Sequence, residues 1–227
     1  MFGPNPEKQD KRKYPDLSIE SLFKEKVVCG VDEAGRGAWA GPVVAAAVVI
    51  PCGTQFSLTI NDSKQLSALR REILYEEIIA HCHVGIGMAT EEEIETINIL
   101  QASMLAMRRA VALLALEVNV VLVDGNKVPD NPDSNQILWK PIIRGDQKSL
   151  SIAAASIVAK EWRDISMKKL ANEYPLYQWQ KNKGYGTKVH REAIECYGIT
   201  KHHRRLYKPV RLWIKEHDKN NERIRKI

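Results

Sequence analysis

Asp32 and Glu33 end one apolar run and Asp124 ends another, in VCGVDEAG and VVLVDG. Both places share an order: apolar residues, an acid, then Gly within three residues. In open α/β sheets, sites form just beyond strand ends. Two acids brought from separate strands to one edge repel each other, and a hard divalent cation relieves that repulsion. Mg²⁺ suits such a place, because it takes few protein carboxylates, keeps waters and bridges phosphate oxygens. The plainer reading makes each acid a turn or cap residue. Asp32 and Asp124 together, with Glu33 adjacent, point to a metal site. Side chains alternate along a strand, so Asp32 and Glu33 face one ion only if the chain turns between them. The following Ala-Gly-Arg-Gly permits such a turn.

Gly35-Arg36-Gly37 continues to Gly41 as GxGxxxG. A dinucleotide fingerprint has different spacing and opens a helix; here the chain runs into VVAAAVVI, a strand. The glycines instead let peptide groups approach a substrate hydroxyl, and Arg36 suits a phosphate. Asp62-Ser63-Lys64 is a compact polar turn, either an Asx turn or a phosphate contact through Ser63 and Lys64. Asp164 extends the row Ala153, Ile157, Lys160, so it faces the sheet or pairs with Lys160 or Lys168 one turn away. Lys181-Asn-Lys-Gly-Tyr-Gly-Thr187 sets Tyr185 between glycines in a basic loop. That ring either stacks on a base or sugar or packs as a surface-turn residue. His202-His203-Arg204-Arg205 forms another basic cluster, and His81 and His83 around Cys82 read as structural.

The elements that must position these residues follow from periodicity. Val27 to Asp32, Val43 to Ile50, His83 to Ala89, Asn119 to Asp124 and a short Pro141 to Ile143 read as strands. Ser67 is a plausible N-cap for a helix over 68–80. Ile94, Ile97, Leu100, Met104, Met107, Val111 and Leu114 form the stripe of a long helix, and a second long helix covers Ser151 to Glu173. Ile19 to Lys24 reads as a short helix. Three early strands followed by helix–strand units indicate an α/β domain with a mixed sheet. Strands this apolar are covered on both faces.

The 227 residues fit one large domain, or one domain with a small subdomain. Hydrophobic residues at 44% and charged residues at 27% exclude wholesale disorder. No apolar run approaches the roughly 18 residues that span a bilayer, and the N-terminus has no apolar signal core. Four scattered cysteines, with no CxxC, read as reduced thiols of a cytoplasmic protein. From Lys181 onward, 14 Lys and Arg face 5 Asp and Glu, a net of +9 in a chain whose total is +6. The basicity is therefore confined to the C-terminal end, which suggests a polyanion such as nucleic acid, or else a solvated helical tail.

In order, GVDEAGRGAWAGPVVAAAVV, NDSKQLS, VLVDGN, SIAAASIVAKEWRD, NKGYGT and HHRRLYKPV resemble the motif set of type 2 ribonuclease H, ribonuclease HII, over roughly residues 27 to 210. The resemblance implies an RNase H-like α/β fold, a mixed central sheet flanked by helices, and a small basic helical C-terminal subdomain. It divides the chain into a polar extension (1–26), a catalytic domain (27–175) and a duplex-contacting region (176–227). It implies hydrolysis of RNA strands paired with DNA, and incision at ribonucleotides embedded in duplex DNA, with two Mg²⁺ or Mn²⁺ ions. The ends left are a 3′-hydroxyl and a 5′-phosphate. Asp32, Glu33, Asp124 and Asp164 would be the metal-binding catalytic carboxylates. Gly35, Arg36 and Gly37 would sense the ribose 2′-hydroxyl, Tyr185 would stack on the next sugar, and Ser63 and Lys64 would contact phosphate. The expected state is a monomer with no membrane contact, and a tether to a replication clamp stays open. The chain departs from the family pattern at Ala38-Trp39, where Pro-Leu is usual, and at Leu206-Tyr207, where Ser-Phe is usual. A related nuclease cutting all-DNA junctions would ignore the 2′-hydroxyl, and a binding module would lack the acids. The type 3 branch carries an extra N-terminal domain for which 26 residues are too few.

Overall fold

The apolar runs pair into one five-stranded sheet in the computed structural model, which describes residues 14–61, 63, 66–130 and 137–224, without the side chains of 218–224. The strands are β1 (Val28–Ala34), β2 (Val43–Val49), β3 (His83–Ala89), β4 (Val120–Asp124) and β5 (Leu138–Ile142), in the order β3-β2-β1-β4-β5. β1, β2 and β3 run antiparallel, whereas β4 and β5 run parallel to β1, so the sheet is mixed as expected. β5 starts at Leu138, ahead of the expected Pro141, and Pro141 is tolerated there because the strand is an edge. The 1–13 extension, Asp62 and Lys64 lie outside the described residues.

All seven residues of β2 are buried, because helices cover both faces. One face packs on α2 (Glu91–Ala112): Val31, Val43, Ala45 and Ala47 meet Ala102, Ala106 and Ala110. The other packs on α1 (Ala68–His81) and α3 (Leu150–Glu173), where Ala34, Ala46 and Val48 meet Leu74, Ala153 and Ile157. The approach is close. A Cβ added at Gly30 would lie 2.2 Å from the Ile152 nitrogen, and one at Gly85 2.1 Å from the Ala110 oxygen. Ser67 caps α1 as expected, accepting from the Arg70 N–H. The stripe of α2 hides a break. Asn98 has φ +67°, and its side-chain oxygen accepts from the Leu100 and Gln101 N–H groups, recapping the helix without disturbing its apolar period.

Three further helices, α4 (Trp179–Asn182), α5 (Lys188–Tyr197) and α6 (Lys208–Ile224), share a small core with the end of α3. Met167, Trp179, Ile194 and Val210 fill it together with Ala40, which follows the glycine turn after β1. The C-terminal region is thereby fastened to the turn that leaves the central strand. No helix among the described residues is long and apolar enough to cross a membrane, and the four cysteines form no disulfide.

Candidate active site

Parallel pairing of Val31 with Val123 brings the next residues, Asp32 and Asp124, out of adjacent strands at the same sheet edge. Asp32 shares its face of β1 with Gly30 and Ala34, toward α3, and borders a cleft of about 460 Å³ with Ser156 and Lys160. Glu33 lies on the opposite face, because the strand runs straight through to Ala34. The expected turn between the two acids does not occur; it comes at Gly35, with φ +97°. Glu33 still reaches the site from the strand end. It borders both the Asp32 cleft and an adjoining hollow lined by Asp124 and Lys127.

The acids act on one another. The Asp32 carboxyl is pushed well above the ordinary range by burial first, then by the charges of Glu33 and Asp124. The Ser156 hydroxyl and the Glu33 N–H, 2.7 Å from Asp32 Oδ1, oppose that shift. Asp124 Oδ1 accepts from the Gly145 N–H at 2.7 Å.

Asp164, the fourth acid of the expected set, is buried and paired with Lys160 at 2.5 Å. Lys160 borders the cleft, while Asp164 lies one turn farther along α3 and lines neither hollow. Its charge acts instead on Arg163 and Lys183. Another acid also lines neither hollow but adjoins a residue hydrogen-bonded to Asp124. Asp146 is 8% exposed and follows Gly145, the residue hydrogen-bonded to Asp124, in a short turn (Gly145–Gln147) beyond β5. The sequence carries a signal for it, an apolar strand and then Gly-Asp in PIIRGD. The order of Gly and acid is reversed there, so the pattern of the other two sites passes over it.

Among the described residues no three His, Cys, Asp or Glu side chains stand close enough together to hold a metal ion as they are oriented. Arg36 holds Glu33 at 3.1 Å and Lys160 holds Asp164, so side-chain cations neutralise part of the acid. The donor set nevertheless fits a hard divalent cation: its ligating atoms are carboxylate oxygens, and Asp32 is buried against like charge.

Gly35, Arg36, Gly37 and Tyr185 border the Asp32 cleft, as does Ser63. Ser63 is buried, and its hydroxyl lies 2.9 Å from that of Ser156, which in turn bonds Asp32. The Tyr185 ring lies over the Arg163 guanidinium, 5.4 Å from its centroid, and a Cβ on Gly37 would sit 4.0 Å from that ring. The Tyr185 carbonyl faces His190 Nδ1 at 3.0 Å, and His190 Nε2 lies 3.1 Å from His203 Nε2. Burial holds both imidazoles below their usual pKa, His203 at about 3, so both are neutral. Trp39 seats the same loop: its backbone N–H donates to the Gly184 carbonyl at 2.8 Å, and its ring leaves no room for a Cβ at Gly186.

Two arginines bind these loops together. Arg163 donates to the carbonyls of Ala40, Pro42 and Lys183, and Arg204 to those of Gly35, Arg36 and Gly41. Both are buried, and desolvation lowers both guanidinium pKa values, Arg163 to about 10. The basic cluster His202–Arg205 is therefore not a surface patch, since His203 and Arg204 are wholly inside. The burial of neither arginine shows in the sequence, where a lone charge or a basic cluster reads as solvated.

The family model described as Ribonuclease HII matches residues 29–212. A Ribonuclease HII of Wolbachia pipientis is 51% identical over 202 residues, covering 88% of this chain and 99% of that protein. The crystal structure of the ribonuclease H2 from Pyrococcus horikoshii is similar with a TM-score of 0.66 at 26% identity, covering 83% of this chain and 97% of that one. The RNase HII in a complex with PCNA from Archaeoglobus fulgidus shares the fold, with a TM-score of 0.60 at 24% identity over 80% of this chain and 95% of that one.

Proposed function

The chain belongs to the ribonuclease HII family of type 2 ribonucleases H, and from that membership we propose that it incises duplexes at embedded ribonucleotides as well as cutting RNA paired with DNA. The observation that carries this reading is one cleft bordered by Asp32, by the Gly35–Gly37 turn and by Tyr185. Acid chemistry, a peptide surface open to a hydroxyl and an exposed aromatic edge then face the same nucleotide.

The family is divalent-metal dependent. Asp32, Glu33 and Asp124, with Asp146 as the fourth carboxylate, would hold two ions, Mg²⁺ or Mn²⁺. Bound there, such ions polarise a phosphate and acidify a water. The residues of the chain do the selecting. The peptides of Gly35–Gly37 meet the 2′-hydroxyl, and a site built for a hydroxyl rejects a deoxyribose because its polar groups stay unpaired. Tyr185 stacks on the following sugar. Ser63 contacts phosphate, and Lys64 beside it in the sequence has the same role. The basic region 176–227 holds the duplex by phosphate contacts. The products carry 3′-hydroxyl and 5′-phosphate ends. The Archaeoglobus complex supports a sliding clamp as a further partner.

The test is cleavage of a DNA duplex carrying one ribonucleotide, with Mg²⁺, with Mn²⁺ and with chelator, beside the same duplex in all-DNA form. Cleavage only of the ribonucleotide duplex, and only with metal, is expected; equal cleavage of both would identify a DNA nuclease on this fold. The fourth carboxylate has its own test. Asp146→Asn should lower kcat/KM by about a hundredfold or more, and Asp164→Asn by less than about tenfold, because Asp146 follows the residue hydrogen-bonded to Asp124 whereas Asp164 is paired with Lys160. The reverse ranking restores Asp164 to the metal site.

A further inference from the structure

Arg204 Nη1 donates to the Gly35 carbonyl at 2.8 Å and to the Arg36 carbonyl at 3.1 Å. The Tyr207 hydroxyl accepts from the same Nη1 at 3.1 Å and donates to the Arg36 carbonyl. A trans peptide is planar, with its C=O and N–H opposed, and the described chain has no cis peptide. Drawing the carbonyls of Gly35 and Arg36 inward therefore turns the N–H groups of Arg36 and Gly37 outward. Both residues border the Asp32 cleft, and neither N–H donates a hydrogen bond among the described residues.

The backing is unusual in kind. Arg204 is wholly buried, and among the described residues it forms no ion pair with a carboxylate and its Nη2 has no hydrogen bond. A buried guanidinium is costly unless its donors are used, and the acceptors it finds are the carbonyls of this turn. Tyr207 adds a second acceptor and donor at the same point. It stands where the family pattern has Phe, and Ala38 stands where the pattern has Pro. The Ala38 N–H, which a proline would lack, closes the turn onto the Gly35 carbonyl at 3.2 Å. Both departures thus meet at one turn, which hydrogen bonds hold in place of ring rigidity.

We propose that the Tyr207 hydroxyl is a positioning group for ribonucleotide selection, holding the Arg36 carbonyl inward with Arg204 so that the Gly37 N–H stays aimed at the 2′-hydroxyl. This rests on the reading of Gly35–Gly37 as the hydroxyl sensor. Tyr207→Phe keeps the ring and its packing while removing the hydroxyl. The readout is the ratio of Kd for an all-DNA duplex to Kd for the same duplex with one ribonucleotide, measured with Ca²⁺ in place of Mg²⁺ to prevent turnover. A preference for the ribonucleotide duplex is expected in the unaltered protein. In Tyr207→Phe the ratio should fall about fivefold, the scale of one hydrogen bond, with all-DNA binding unchanged. An unchanged ratio, or equal weakening on both duplexes, would overturn the role of Tyr207 and leave the sensor reading intact. No preference in the unaltered protein would sink the sensor reading and this proposal with it.

Discussion

Asp124→Asn is expected to reduce kcat/KM on a ribonucleotide-containing duplex by about a thousandfold or more while the protein stays folded. The fold survives because the Gly145 N–H bonded to Oδ1 finds an equivalent acceptor in the amide oxygen of Asn. Activity does not, because one hard anionic donor is lost from a site where a metal ion is worth several kcal/mol. The same change should raise stability in chelator. Asp32 is held above the ordinary carboxylate range partly by the Asp124 charge. An acid whose pKa is higher in the folded than in the unfolded state binds more protons when folded. Its ionisation therefore erodes stability as pH rises from the ordinary range through the raised value. Removing the Asp124 charge lowers the Asp32 value and shrinks that loss, by about 1 kcal/mol, or roughly 2–4 °C in Tm near neutral pH. Thermal melts with chelator and with Mg²⁺ check the sign, since added metal should favour the unaltered protein. Near-normal turnover by Asp124→Asn would remove the residue from the metal site.

Tyr185→Ala should lower kcat/KM on a single embedded ribonucleotide by about 10- to 100-fold, the range of one lost stacking contact of about 1–3 kcal/mol. The loss on a long RNA–DNA hybrid should be clearly smaller. A sugar carrying a 2′-hydroxyl fits poorly against the ring, so the hybrid gains less from Tyr185 in the first place. The loop should keep its shape in the variant, because His190 holds the Tyr185 carbonyl and Trp39 packs on Gly186, both independently of the phenol ring. Tyr185→Phe keeps the ring over Arg163 and should retain most activity. Equal proportional losses on the two substrates would make Tyr185 a packing residue beside Arg163.

Features visible in the sequence are those set by neighbours along the chain. Apolar runs place the strands within a few residues, Ser67 marks a helix start, and the ordered motifs identify the family. The paired acids Asp32 and Asp124 are legible because each ends its own strand, and parallel register does the rest. Features decided only in three dimensions depend on groups far apart in the chain. Gly145 reaches Asp124, and so brings Asp146 to within one residue of that contact, because β5 lies beside β4, which no local pattern states. The Asn98 break leaves the apolar period of α2 intact and so leaves no trace in it. Arg163 and Arg204 look like ordinary surface cations, and the carbonyls that make their burial tolerable come from more than a hundred residues earlier, at Ala40 and at Gly35. Charge and periodicity are local properties of a sequence, whereas desolvation is a property of everything that folds around a group.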